Sequence, residues 1–321
     1  MKSRTVNFRF AAPAFASAIA LVIATGEAAA QAILTDQSPQ RQEKLIAGAK
    51  KEGKVTIYSA MIVNQALRPL VTGFMKKYPF IKATYWRAAS ENIIAKVSAE
   101  VRANNLVADV VEGTGIGELA GQGNLVVPYH TPMLKDYPEK LRDKEGLWTP
   151  TRLSYFSIAY NTKQVAKDQV PKTYDDLLKP QWNGKMAWRI GTSSGTPLFI
   201  ANLRLARGED KAMDYFKKLK DQKIVNFGAG SARTLVDRVI AGEFAIALNI
   251  FAHHPLISKG KGAPVDSALL DPVPATSATM VIPRGLKNPH AALLLIDFVL
   301  SKEGQEIVAK ANYFPARPDV E

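Results

Sequence analysis

The chain has 321 residues, with 42 lysines and arginines against 29 aspartates and glutamates, and no cysteine. The lack of cysteine excludes disulfides, thiolate metal sites, thiol nucleophiles and a lipid-modified leader cysteine. The net charge of +13 raises nucleic acid as a partner, but the basic residues are scattered in pairs such as Lys50-Lys51, Lys76-Lys77 and Lys217-Lys218 with acids between, the pattern of solvated helix faces, so nucleic acid is set aside.

Taken in chain order, the first element is an export signal. Lys2, Arg4 and Arg9 precede an apolar stretch from Phe10 to about Thr25, and Ala28-Ala29-Ala30 before Gln31 is a cleavage pattern of small residues. Pro13 breaks the stretch, which is shorter than the roughly 20 residues a spanning helix needs. Removing residues 1–30 takes away three basic residues and Glu27, so the charge falls to +11. The remainder, about 290 residues, is long enough for two domains. It is expected to be exported and soluble, in a bacterial periplasm.

Short apolar runs then alternate with amphipathic stretches, the signature of α/β architecture. Helical spacing covers residues 41–52, 64–78 and 90–104, the last with Ser90 placed as its cap. Strands are expected at 55–59, 81–86 and 108–111, followed by the turn Glu112-Gly113-Thr114-Gly115. This order makes a parallel sheet with ligands at the carboxyl ends of its strands. Residues 130–150, rich in Pro, Lys and Asp, read as surface loop. A second α/β cycle has strands at 155–160, 185–190 and 244–250 and helices at 197–207, 211–219 and 231–241. A strand at 275–282 and a periodic helix at 289–301 follow, with Asn288 as N-cap and Pro289 at the first helical position.

Several segments in this order are distinctive: Val55 to Ser59, Val107-Ala108-Asp109-Val110-Val111-Glu112, and Ile158-Ala159-Tyr160-Asn161-Thr162. Further along come Tyr174-Asp175-Asp176-Leu177-Leu178 with Pro180-Gln181-Trp182-Asn183-Gly184-Lys185, then Ala241-Gly242-Glu243, and Asn288-Pro289-His290-Ala291-Ala292 with Ser301-Lys302-Glu303-Gly304-Gln305. Together they resemble the extracellular solute-binding proteins of bacterial ABC importers, in the branch that contains ferric-binding proteins. The resemblance implies an α/β, two-lobed type II periplasmic-binding-protein fold with a ligand cleft between hinged lobes. It places lobe one at residues 31–156 plus 275–305 and lobe two at 157–274 plus 306–321. It further implies a monomer that binds a small solute (an anion, an organic acid or a metal chelate), needs no cofactor and delivers the solute to the membrane permease of an ABC importer.

Gly191-Thr192-Ser193-Ser194-Gly195 fits G-x-S-x-G, but no His-Gly-Gly stretch precedes it and the later histidines suit other roles, so a secreted hydrolase using Ser193 is the weaker alternative. In the family resembled, this strand-to-helix turn serves an anion, which the unpaired N–H groups of a helix start favour. Ser193, Ser194, Gly195 and Thr196 are therefore ligand candidates. So are Ser59, Ala60, Glu112 and Thr114, which end strands, and Arg87 and Ser90, which follow the second strand. Arg87, Arg189 and Arg233 are each either a guanidinium fork for a carboxylate or phosphate, or simply exposed arginines. Ser231 and Asn249 share the second-lobe position, and Tyr155 is an apolar wall or core. The best-known ferric-binding relatives carry two adjacent tyrosines after this last strand and an early histidine. Here the place reads Ile250-Phe251-Ala252-His253-His254, and no histidine stands near Ile62. Iron(III) favours phenolate and carboxylate oxygens, so no metal site is assigned and ferric iron is the alternative solute. His253 and His254 are anion donors, a metal pair or plain loop; in an extended chain only one of them faces the cleft.

Overall fold

The computed structural model describes residues 32–189, 195–228 and 232–320. The leader at 1–30 lies outside them. Helix α1 (Arg41–Glu52) leads into β1 (Lys54–Ser59), a π turn (Val63–Leu67), α2 (Arg68–Lys77), β2 (Lys82–Arg87), α3 (Ser90–Arg102), β3 (Val110–Thr114), α4 (Glu118–Gly121) and β4 (Val126–Val127). Next come β5 (Thr149–Asn161), β6 (Met186–Trp188), α5 (Gly195–Arg207), α6 (Glu209–Lys220), β7 (Val225–Asn226), α7 (Ala232–Ile240), β8 (Ile246–Phe251), α8 (His253–Lys259) and β9 (Val265–Ala268). The chain ends with β10 (Ala275–Pro283), α9 (Pro289–Leu300), α10 (Lys302–Lys310) and β11 (Phe314–Pro315).

β1 pairs in parallel with β2 and β3, Ile57 lying opposite both Tyr85 and Val110. Parallel neighbours need crossovers, and α2 and α3 supply them. β10 then runs antiparallel beside β3, and β5 beside β10. β5 is the joint of the molecule. Its first part, through Tyr155, pairs with β10, while Phe156 to Tyr160 pair with β8. The order β2-β1-β3-β10-β5 thus continues into β8-β6-β7, where β6 is parallel to both neighbours. A core lies on each side of this joint. Lobe one buries Leu45, Ile57, Phe74, Leu293 and Phe298 together; lobe two buries Phe156, Trp188, Phe199, Leu203 and Tyr215.

Helix α9 is apolar on every side, with all of Ala291 to Leu300 buried, so it is a central helix rather than an amphipathic one. Its one charge, Asp297, is held by Arg41 at 2.6 Å, with both side chains nearly solvent-free. Asn288 holds the N-cap position with Pro289 next, as expected, but its side chain makes no capping bond. Its side chain donates to Asp109, whose carboxylate also accepts from the Thr56 backbone. The α9 start is met by Glu52 instead, which accepts from the backbone N–H of His290 and Ala291. Ser90 likewise is the first residue inside α3, with Ala89 at the cap position. The stretch 130–150 is anchored: Tyr137 is buried and donates to the Leu300 carbonyl. The tail expected on lobe two packs on lobe one, because Val308, Ala311, Tyr313 and Ala316 share the core of α9.

Candidate functional site

A cavity of about 620 Å³ opens between the lobes. Lobe one contributes Asn64 and Gln65 from the π turn after β1, Arg87 from the end of β2 and Glu91 from the first turn of α3. Lobe two contributes Arg189 just beyond β6, Thr196 in the first turn of α5, Arg233 in α7, Asn249 and Phe251 at the end of β8, and His254 and Lys261. Both walls are built at the carboxyl ends of parallel strands, where an α/β sheet leaves room for ligands.

The charge is lopsided. Arg87, Arg189, Arg233 and Lys261 face the space, and Glu91 is its one carboxylate among the described lining residues. Arg233 is steadied from two sides: its guanidinium donates to the His254 carbonyl at 3.3 Å and to Asp237 at 2.8 Å. Arg87 donates one long bond of 3.4 Å to the Met61 carbonyl. Asn249 has a φ of 54°, a left-handed conformation that asparagine tolerates better than most residues. Its amide donates to Thr196 Oγ1 at 3.2 Å, and that hydroxyl donates to the Arg189 carbonyl at 3.1 Å. The three elements carrying these groups are thereby tied together.

His253 and His254 open helix α8, so they are neighbours on a helical turn, not residues alternating along an extended chain. It is His254 that lines the cavity; His253 is buried, stacked on Phe251 and 4.3 Å from the Tyr313 ring. Burial first, then Arg233, Arg152 and Arg87, bring the His254 pKa down to about 3. Its imidazole is neutral near pH 7 and offers one donor and one acceptor.

Of the residues singled out from the sequence, Arg87, Arg189, Thr196, Arg233 and Asn249 meet around this cavity, with His254 of the histidine pair. Ser193, Ser194 and Ser231 lie outside the described residues, and Gly195 is described only as the start of α5. Ser59 and Glu112 turn inward: Ser59 donates to Glu112 at 2.6 Å, and Glu112, fully buried, pairs with Arg152 at 3.2 Å and accepts from Thr151. Ala60 donates its N–H to the Glu112 carbonyl. Thr114 is buried in the ladder opposite Ala278, Tyr155 packs edge-on against Phe314, and Ser90 is buried. A Cβ at Gly113 would lie 2.8 Å from Ser90 Oγ, so this pair is a packing contact. The sequence reading missed Asn64, Gln65, Glu91 and Lys261, and of the histidine pair it weighed, His254 is the one on the cavity wall. The strand-end rule pointed near the first three without separating them from ordinary helix-start residues.

A family model described as bacterial extracellular solute-binding protein matches residues 107–321. An uncharacterized protein of Haemophilus influenzae is 29% identical over 82% of this chain and 77% of its own length. The Fe(3+)-binding periplasmic protein of Serratia marcescens is 24% identical over 83% of this chain and 79% of its own. Among solved structures, the periplasmic binding protein AfuA from Actinobacillus pleuropneumoniae, with exogenous fructose-6-phosphate bound, superposes with a TM-score of 0.72 at 26% identity, covering 84% of this chain and 87% of that one. The fold is that of the type II periplasmic binding proteins.

Proposed function

Because this chain belongs to the bacterial extracellular solute-binding protein family, whose members bind solutes and are not enzymes, we propose that its cavity captures a small organic anion for the membrane permease of an ABC importer. One observation carries the reading: Arg87 from one lobe and Arg189, Arg233 and Lys261 from the other surround a single space that holds one acid among its described lining residues. Guanidinium forks fit carboxylate and phosphate oxygens in pairs, with strong charge-assisted bonds. The Thr196 hydroxyl and the neutral His254 ring add orientation without adding charge. An anion that touches Arg87 and Arg233 together makes contacts that exist only while the lobes are together, which is the differential affinity a closing clamp requires.

The neighbour with fructose-6-phosphate bound supports an ester or acid with an organic body. The relative named for Fe(3+) points to iron, but no tyrosine is among the described residues that line the cavity. No cluster of three or more metal-binding side chains occurs among the described residues either. Hard iron(III) wants phenolate and carboxylate oxygens, so bare iron fits poorly here.

A thermal-shift screen across phosphate esters, phosphonates, carboxylates, sulfate, ferric citrate, neutral sugars and polyamines tests the proposal. A bound anion should raise the unfolding temperature, since ligand at about 100 times its Kd adds about 2.7 kcal/mol of stability. The protein should stay colourless with ferric citrate. Stabilisation by polyamines or neutral sugars with none by any anion would overturn the reading.

A further inference from the structure

Glu91 is the odd group among these cations. It sits in the first turn of α3 on the lobe-one wall. Its nearest charged partner, Arg189 on lobe two, is 3.9 Å away, beyond hydrogen-bond reach. Among the described residues its carboxylate accepts no hydrogen bond, and its side chain is about a third exposed. A carboxylate only accepts. Beside a fully deprotonated oxyanion it offers repulsion; beside an O–H or N–H it offers a charge-assisted bond. Asn64 and Gln65 share the lobe-one contribution to the cavity, and amides that both donate and accept suit hydroxyls equally well. The volume of about 620 Å³ lies in the range of sites that enclose organic ligands, and is far more than a bare tetrahedral oxyanion fills.

We infer that Glu91 is a specificity-determining residue, which selects organic anions carrying a hydroxyl near the anionic group and rejects bare oxyanions and simple alkyl anions. Hydroxyl is favoured over ammonium because Arg87 and Arg189 stand in the same space, and their field opposes a further cation. An acid in a first helical turn also has a purely structural use against the helix dipole. That use predicts an effect on stability and none on the choice between ligands.

The inference rests on the anion reading above, and the experiment keeps the two apart. Calorimetric titration compares glycerol phosphate with propyl phosphate, and gluconate with hexanoate, in wild type, Glu91→Ala and Glu91→Gln. The wild type should prefer the hydroxylated member of a pair it binds by about tenfold or more. Glu91→Ala should bring that ratio to about one, mainly by weakening the hydroxylated ligand. Glu91→Gln keeps the shape and removes the charge, so it should tighten binding of the alkyl member. Unfolding temperatures of the free variants report on the fold. A wild type that binds both members equally, or a preference that survives both substitutions, overturns the inference and leaves the anion reading standing. If no member of either pair binds while another anion stabilises the protein, this inference is overturned and the anion reading stands; if no anion binds at all, both fall.

Discussion

Arg233 reaches the cavity already held by the His254 carbonyl and Asp237, so binding the proposed anion would cost it little side-chain freedom. Among the described residues Arg87 makes one long bond, to the Met61 carbonyl, so the proposed anion would have to order it. Replacing either with alanine should weaken anion binding by about 1.5–3 kcal/mol, the range for a hydrogen bond to a charged group. Calorimetry on the free and loaded variants checks this; a variant that unfolds early without ligand would make the arginine structural. The histidines set an acid limit. Burial, then the neighbouring arginines, bring the His254 pKa down to about 3, and burial, then His254 and Arg152, lower that of His253. An unfolded imidazole titrates near 6.5. Below that pH the unfolded chain takes up protons that the folded chain refuses, so stability is complete above it and falls as pH drops toward the folded values. The loss per histidine should be up to about 1.4 kcal/mol per pH unit. Urea denaturation between about pH 7 and about pH 4 should show the decline, with a shallower slope in His254→Gln.

The way α1 and α9 are joined shows what one element needs from another. Glu52, the last residue of α1, accepts from His290 N–H at 3.1 Å and Ala291 N–H at 2.8 Å, filling orphan donors at the start of α9. Glu52→Ala should cost about 1–2 kcal/mol of stability, as for loss of a helix cap, with ligand affinity unchanged. Chemical denaturation together with titration measures both. No local rule could find this cap, because the two residues are far apart in sequence and meet only after the sheet forms. What the sequence did disclose followed from patterns within one element. The apolar runs of β1 and β3 and the composition of α9 announced themselves, and Arg87 and Asn249 lie at strand ends, where ligands are expected. Ser59 and Glu112 obey the same rule, yet Ser59 turns inward to Glu112 and Glu112 to Arg152 of β5, a pairing set by tertiary contact. At His253 the signal was present and misread: Pro255 followed by Leu256 and Ile257 fits the first turn of a helix, where proline loses no hydrogen bond.

At the scale of the whole molecule, β5 pairs with β10 on one side of the joint and with β8 and β9 on the other, and the chain returns to lobe one where Ala275 lies opposite Tyr155. Each lobe keeps its own core, so a turn of the lobes about this junction would unpack neither one. The cavity's cations among the described residues are divided unequally, Arg87 on lobe one and Arg189, Arg233 and Lys261 on lobe two. An anion should therefore dock first on the more cationic wall and draw Arg87 across to it. Small-angle scattering should show a smaller radius of gyration once the stabilising anion is added at saturation, as expected for hinge closure. Arg87→Ala separates docking from closure. It keeps the lobe-two wall, so at high ligand concentration it should still bind, weakly, but with little compaction. Arg233→Ala should weaken docking itself. Full compaction of the Arg87 variant at saturation would mean that closure is driven by other contacts of lobe one, with Asn64, Gln65 and Glu91 the first to test.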